Sequence, residues 1–321
     1  MQRKAKSTLT TLIRIIITLS LLVYVFSNVN FKEFLATLTQ INILYLIIIL
    51  AISILQSAVS TWGWKIALQA FNFKFTYIRL FYYYYIGCFF SLSLPGAIGG
   101  DAVKIYYVGK ENDKKYIESF ASLAVQRILS FLTFIFFFLI PVLLFSNLLD
   151  ANIRLTLLSL LLILFIISIL SVYFPGVKKI AEFLINKLKI YNLNEKIHKL
   201  LSSLFLFKKK RKTLGFLILN SFMFYLSSLI LRYFILRMLD IELELEIFFA
   251  IVIFVTFMVQ IPISFAGVGI REGTYLFFFT KYGISPEVAI SFSLLEYIPG
   301  FILSNLTGLI YLIKSNRLKE Y

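Results

Sequence analysis

The chain has 321 residues, 60% of them apolar and only 15% charged, with a mean hydropathy of +0.88 and a formal net charge of +16. A soluble domain would space its apolar residues at helix or strand periods, whereas here they stand in long unbroken runs, as segments that cross a bilayer do. A membrane β-barrel is excluded as well, since it would need alternating segments of about ten residues.

Eight apolar segments follow in chain order, at 8–26, 43–60, 77–95, 119–145, 153–174, 214–236, 247–264 and 287–313. The first reads as a full span, because no small-residue cleavage site follows it. Segment 77–95 carries Tyr82 to Tyr85, which read as packing residues, and ends in four helix breakers, Pro95, Gly96, Gly99 and Gly100. Segments 119–145 and 287–313 are long enough to cross with tilt, and the latter is expected to break at Pro299 and Gly300. Segment 247–264 runs into a second break at Pro262, Gly267 and Gly269. Between the fifth and sixth segments lies the sizeable polar stretch 175–213. Its Val177, Ile180, Leu184, Leu188 and Tyr191 share one helical face opposite lysines, as in helices that lie on a membrane surface. No second domain is evident, so 1–321 reads as one transmembrane domain with 175–213 as a basic insertion.

Charge sets the expected orientation. Arg3, Lys4, Lys6 and Arg14 precede the first span, eleven Lys and Arg residues crowd 175–213 against Glu182 and Glu195, and Lys314, Arg317 and Lys319 end the chain. The positive-inside bias puts all three, and hence both termini, in the cytoplasm of a cell membrane. Asp240, Glu242, Glu244 and Glu246 mark the opposite side. If all eight segments crossed, the basic stretch 175–213 would lie outside. The conflict vanishes if 77–95 and 247–264 dip in and return, which gives an all-α protein of about six spanning helices plus two re-entrant or broken ones. Bent backbone at such depth is tolerated where protein or a wet cavity surrounds it. The basic excess is then explained by topology and anionic lipid, and nucleic-acid binding is not expected, since no binding module accompanies it.

The two breaks are alike. "SLPGAIGGDAVKIYYVGK" at 93–110 and "SFAGVGIREGTYLFFFTK" at 264–281 share a serine, glycines, an acid, aromatics and a final lysine. With one hairpin opening inward and the other outward, this is the layout of an inverted repeat whose site lies between broken helices.

Arg127, Arg232 and Glu296 lie inside apolar runs, where each charge costs about 2.5–3.5 kcal/mol on insertion scales. They read either as a polar path for a phosphate headgroup or as structural pairing, for instance of Arg127 with Glu296. At the breaks, Asp101 and Lys104 would line a cytoplasmic mouth or simply be solvated. Arg271 and Glu272 would meet a headgroup at a short helix start, or Glu272 would merely cap that helix.

Four motifs in order resemble one family: "LPGAIGGDAVK" at 94–104, "AVQRILSF" at 124–131, "PISFAGVGIREG" at 262–273 and "EYIPGFILSNLTGLIYLI" at 296–313. The family is the lysylphosphatidylglycerol synthase transmembrane region, or flippase-like, family, and the resemblance covers essentially the whole chain. It implies a multi-helix module that handles lipids, here without the soluble aminoacyl-transferase domain of some relatives. Two positions depart from the family's pattern. Lys104 stands where Arg is usual, and Gln126-Arg127 stands where Glu-Arg often occurs, so phosphate grip and one ion pair differ.

Enzymatic chemistry is not expected. His198 is the lone histidine and Cys88 the lone cysteine, which leaves no zinc cluster and no base for Ser91, Ser93 or Ser264. No metal site and no cofactor are expected. Two readings follow: a lipid translocase for an anionic or aminoacylated phospholipid, or a non-transporting anchor for a cytoplasmic lipid- or glycan-modifying enzyme. The sequence leaves the oligomeric state open.

Overall fold

The computed structural model describes residues 16, 18–25, 27, 29–39, 41–93, 98–144, 159, 163, 207, 210–260, 264 and 267–317. Nine helices have described bounds: α1 (Phe31–Thr39), α2 (Ile43–Gln69), α3 (Tyr77–Ser93), α4 (Ile98–Lys110), α5 (Tyr116–Leu144), α6 (Arg211–Met238), α7 (Leu245–Gln260), α8 (Ile270–Lys281) and α9 (Pro286–Arg317). The described part of the protein contains no strand. The span expected at 153–174 apart from 159 and 163, about half of that at 8–26, the amphipathic stretch 175–213 apart from 207 and 210–213, and Pro95, Gly96 and Pro262 lie outside the described residues.

Four helices are long and apolar enough to cross a membrane: α2, Tyr116–Phe137 of α5, α6, and Pro286–Ile313 of α9. This is a helical membrane protein. The two segments expected to dip and return are the short ones, α3 with 17 residues and α7 with 16. Each is followed by a still shorter helix, α4 with 13 residues and α8 with 12.

Local chemistry sets the ends. Asn30 caps α1, its side-chain oxygen accepting from Lys32 N at 3.1 Å, and Asn42 caps α2 by accepting from Leu44 N at 2.9 Å. At the far end of α2, Asn72 takes a left-handed φ of 61°. Phe73 N then donates to Leu68 O (3.2 Å) and Asn72 N to Gln69 O (3.1 Å), the paired bonds of a Schellman stop. The end of α6 repeats this, with Asp240 at φ 49°, Ile241 N on Leu236 O (3.1 Å) and Asp240 N on Arg237 O (3.4 Å).

Two expected breaks are corrected. Gly99 and Gly100 do not form a bend but lie in the first turn of α4, where Asp101 near the start and Lys110 at the end suit the helix dipole. Gly100 is needed for packing, because a side chain there would run into the Gly87 carbonyl and the Ser91 hydroxyl of α3. Residues 98–110 are thus helical. Pro299 and Gly300 do not interrupt α9, which continues through them to Arg317. A proline inside an apolar helix removes one backbone bond, here the one to the Leu295 carbonyl, and the helix continues through it.

The described chain divides into two compact units: residues 1–56, 84–103 and 227–321, and residues 57–83 and 104–226. The first has an aromatic core, with Phe292 stacked among Tyr275 (4.8 Å between centroids), Phe279 (5.3 Å) and Phe248 (5.9 Å). Within it α8 packs on α7 and α9, and α1 on α9, where Asn30 N donates to Glu287 Oε1 at 2.9 Å. The second is knit by small and polar residues, as expected where lipid removes the hydrophobic drive between helices. Gln126 Nε2 donates to Ser60 O (2.8 Å), Asn220 Nδ2 to Val59 O (2.8 Å), and Ser130 meets Ser221 (3.0 Å). Gly63 sits beneath Gln126 and Asn220 with no room for a side chain.

Candidate functional site

In the first unit, α6, α8 and α9 bring four charges together. Arg232, on α6, faces Glu296 of α9 in a two-pronged pair: Nη2 to Oε1 at 2.7 Å and Nε to Oε2 at 3.0 Å. The side chains are only 10% and 14% exposed. Arg232 Nη1 also donates to the Ser228 hydroxyl one turn back, and the Tyr275 hydroxyl of α8 donates to Glu296 Oε2 at 2.8 Å. The fork of an arginine matches a carboxylate in this way, and the phenol and hydroxyl occupy further polar groups that would otherwise be desolvated. Glu296 lies about 15 Å of helical rise beyond the start of α9, and Arg232 about 9 Å before the end of α6, so neither charge stands at a helix end.

The start of α8 completes the cluster. Glu272 is 5% exposed; its Oε2 accepts from Gly269 N at 2.6 Å and its Oε1 from the Ser293 hydroxyl of α9 at 2.9 Å. Both of its oxygens are therefore engaged within the fold, and its charge already meets the positive end of the helix. Arg271, 6% exposed, lies over the Tyr297 ring with its guanidinium carbon 4.8 Å from the centroid. A cation–π contact holds the flat face of a guanidinium, while a phosphate is gripped by its edge.

The turn into α8 depends on glycine. Gly267 and Gly269 have φ of 75° and 85°, and a Cβ on Gly269 would lie 2.6 Å from Leu21 Cβ. Gly269→Ala is expected to cost about 2 kcal/mol or more from the left-handed backbone and the contact together. Unfolding in detergent would read this, and an unchanged midpoint would show that the turn relaxes.

The arginine–glutamate pairing is a correction to the expected alternative: Glu296 pairs with Arg232, not with Arg127. Arg127 is exposed on α5, close enough to interact electrostatically with Tyr225. Asp101 is half-buried on α4 in the first unit, and Lys104, one turn further on, is half-buried in the second. Sequence reasoning missed Tyr275, Ser228, Ser293 and Tyr297. Tyr275 and Ser228 were within reach of it, lying three residues after Glu272 and four before Arg232 on the same helical faces.

Comparison with known proteins agrees with this architecture. The sequence matches the lysylphosphatidylglycerol synthase TM region over residues 11–308. The chain belongs to that family. It is 23% identical over 322 residues to a UPF0104 membrane protein of Methanocaldococcus jannaschii, an alignment covering 96% of this chain and 94% of that one. A UPF0104 membrane protein of Pyrococcus horikoshii is 27% identical over 296 residues, covering 84% of this chain and 88% of the relative. A third, from Methanothermobacter thermautotrophicus, is 21% identical over 281 residues, covering 82% and 83%. No solved structure matches the chain.

Proposed function

We propose that the protein is a lipid translocase, not an enzyme, which passes a polar headgroup through the helix bundle while the acyl tails stay in the bilayer. The observation that carries this reading is the cluster of Arg232, Glu296, Arg271 and Glu272, four charges held together at depth in apolar helices. Intramembrane charges are costly and mark pathways for polar cargo. A cluster holding both signs suits an anionic phospholipid or one bearing an added amine, in keeping with the aminoacylated phospholipid in the family's name. In this reading Arg271 grips the phosphate, Arg232 and Glu296 line the path and Asp101 supplies a further contact in the same unit, while Lys104 and Arg127 are headgroup contacts within the second unit. Glu272 holds the α8 start in shape.

We further propose an inverted repeat with six spans and two broken helix pairs, set in the cell membrane with both termini cytoplasmic. Support comes from the helix order: α2 to α5 have 27, 17, 13 and 29 residues, and α6 to α9 have 28, 16, 12 and 32. The Schellman stops at Asn72 and Asp240 fall at the same distance from the starts of α2 and α6. Gln126 stands as far into α5 as Glu296 does into α9, and the bond from Gln126 reaches Ser60 at the register where Ser228 stands in α6. Labelling of introduced cysteines is expected to find positions 110 and 187 on the cytoplasmic side and 242 outside. Labelling of 110 and 187 from opposite sides would remove the first re-entrant pair.

The translocase reading is tested with purified protein in vesicles carrying head-labelled phosphatidylglycerol and a quencher added outside. Expected is quenching beyond the outer leaflet's share. If folded protein leaves the inner leaflet protected, the protein is a non-transporting anchor.

A further inference from the structure

We infer that the second unit carries a binding site for the phosphate of a lipid headgroup, formed where α2 ends and α3 begins. An open pocket of about 520 Å³ is lined there by Lys65, Gln69, Asn72, Phe73, Lys74, Phe75 and Thr76. A second basic segment reaches the same loop: Lys210 Nζ donates to Ala70 O at 2.6 Å, and Phe207 meets Phe71 edge-on at 5.4 Å. Arg211 and Lys212 follow directly, both exposed. Five cations thus gather at one end of two apolar helices. Among the described residues none of the five has an acidic partner. Glu111, the acid that approaches the first turn of α3, is held by Arg79 at 2.7 Å and by the Tyr83 hydroxyl. A concentration of positive charge with no acidic partner among the described residues attracts an anion.

The position selects the kind of anion. Trp62, one turn before Lys65, is 60% exposed on an apolar helix, as indoles at headgroup level are. Lysines on such a helix extend their amines toward the interface while their stems remain in apolar surroundings. Asn72 holds the left-handed position of the helix stop, which fixes the loop under the pocket, and Thr76 opens α3 by accepting from Leu80 N. Gln69, Asn72 and Thr76 add neutral donors for headgroup hydroxyls. The ligand class that satisfies the cations, the donors and the depth together is a glycerophosphate headgroup. The site does not depend on the translocase reading, because it is read by binding alone.

The full-length protein in nanodiscs of phosphatidylcholine with a minority of phosphatidylglycerol is released into the mass spectrometer, and the retained lipid is counted. Preferential retention of phosphatidylglycerol is expected, falling roughly tenfold in Lys65→Gln/Lys74→Gln at about fivefold or less per surface lysine. Lys65→Arg/Lys74→Arg, which keeps the charge, and Lys32→Gln on α1 are expected to retain it. Soluble glycerol phosphate in excess is expected to leave the lipid in place; displacement by it would overturn the lipid source in favour of a free phosphate ester. Equal retention by the double glutamine variant and the parent would overturn the site.

Discussion

Glu296→Ala is expected to destabilise the protein by about 3–5 kcal/mol, because it leaves Arg232 buried without its counter-charge. Arg232→Ala should cost a similar amount by stranding Glu296, whose Oε2 also takes the Tyr275 hydroxyl bond. Denaturation in mild detergent measures both. Replacing the pair together, as Arg232→Met/Glu296→Met, removes the uncompensated charge and should return stability to within about 1–2 kcal/mol of the parent. Movement of phosphatidylglycerol in vesicles then separates structure from function. A path for a headgroup predicts that the double variant is stable and does not transport. Transport at the parental rate would make the pair scaffold.

Arg271→Ala is expected to abolish lipid movement while the protein still inserts and elutes as a folded species. Arg271→Lys should retain only part of the activity, since an ammonium keeps the charge but loses both the fork for phosphate and the flat face that Tyr297 holds. Tyr297→Phe keeps the ring and should transport nearly normally, whereas Tyr297→Leu should fall between the parent and Arg271→Ala. Normal transport by Arg271→Ala would move the site from the α8 start to Arg232 and Glu296.

Much of the helix order was legible because the bilayer forces it: runs of apolar residues long enough to span fold as helices, and charge parity singled out 77–95 and 247–264, which are the short helices α3 and α7. Glycine was less readable. Gly267 and Gly269 do hold a left-handed turn, but Gly100 serves close packing inside a helix, and sequence alone does not separate these uses. Pro299 shows the same ambiguity, since its missing bond does not stop a helix supported on several sides. Arg232 and Glu296 stood out, with Arg127, as charges in apolar runs, and Arg271 and Glu272 as charges at a helix break; the structure brings these four together. Their pairing was not legible, because Arg127 and Arg232 offer the same chemistry and only the packing of α6 against α9 chooses between them. The polar groups that complete the cluster, Tyr275 and Ser293, were hidden among many residues of the same types.

The Arg232–Glu296 pair also has a consequence for biogenesis. The two residues are 64 positions apart in the chain, so α6 enters the membrane with Arg232 unpaired by Glu296 until α9 emerges. An isolated arginine at such depth costs about 2.5–3.5 kcal/mol by insertion measurements, enough to keep α6 near the insertion machinery or drawn toward the interface. Only when α9 arrives can α6 settle. Chains truncated before Glu296 should therefore hold α6 less firmly and be cleaved faster by added protease than the full chain.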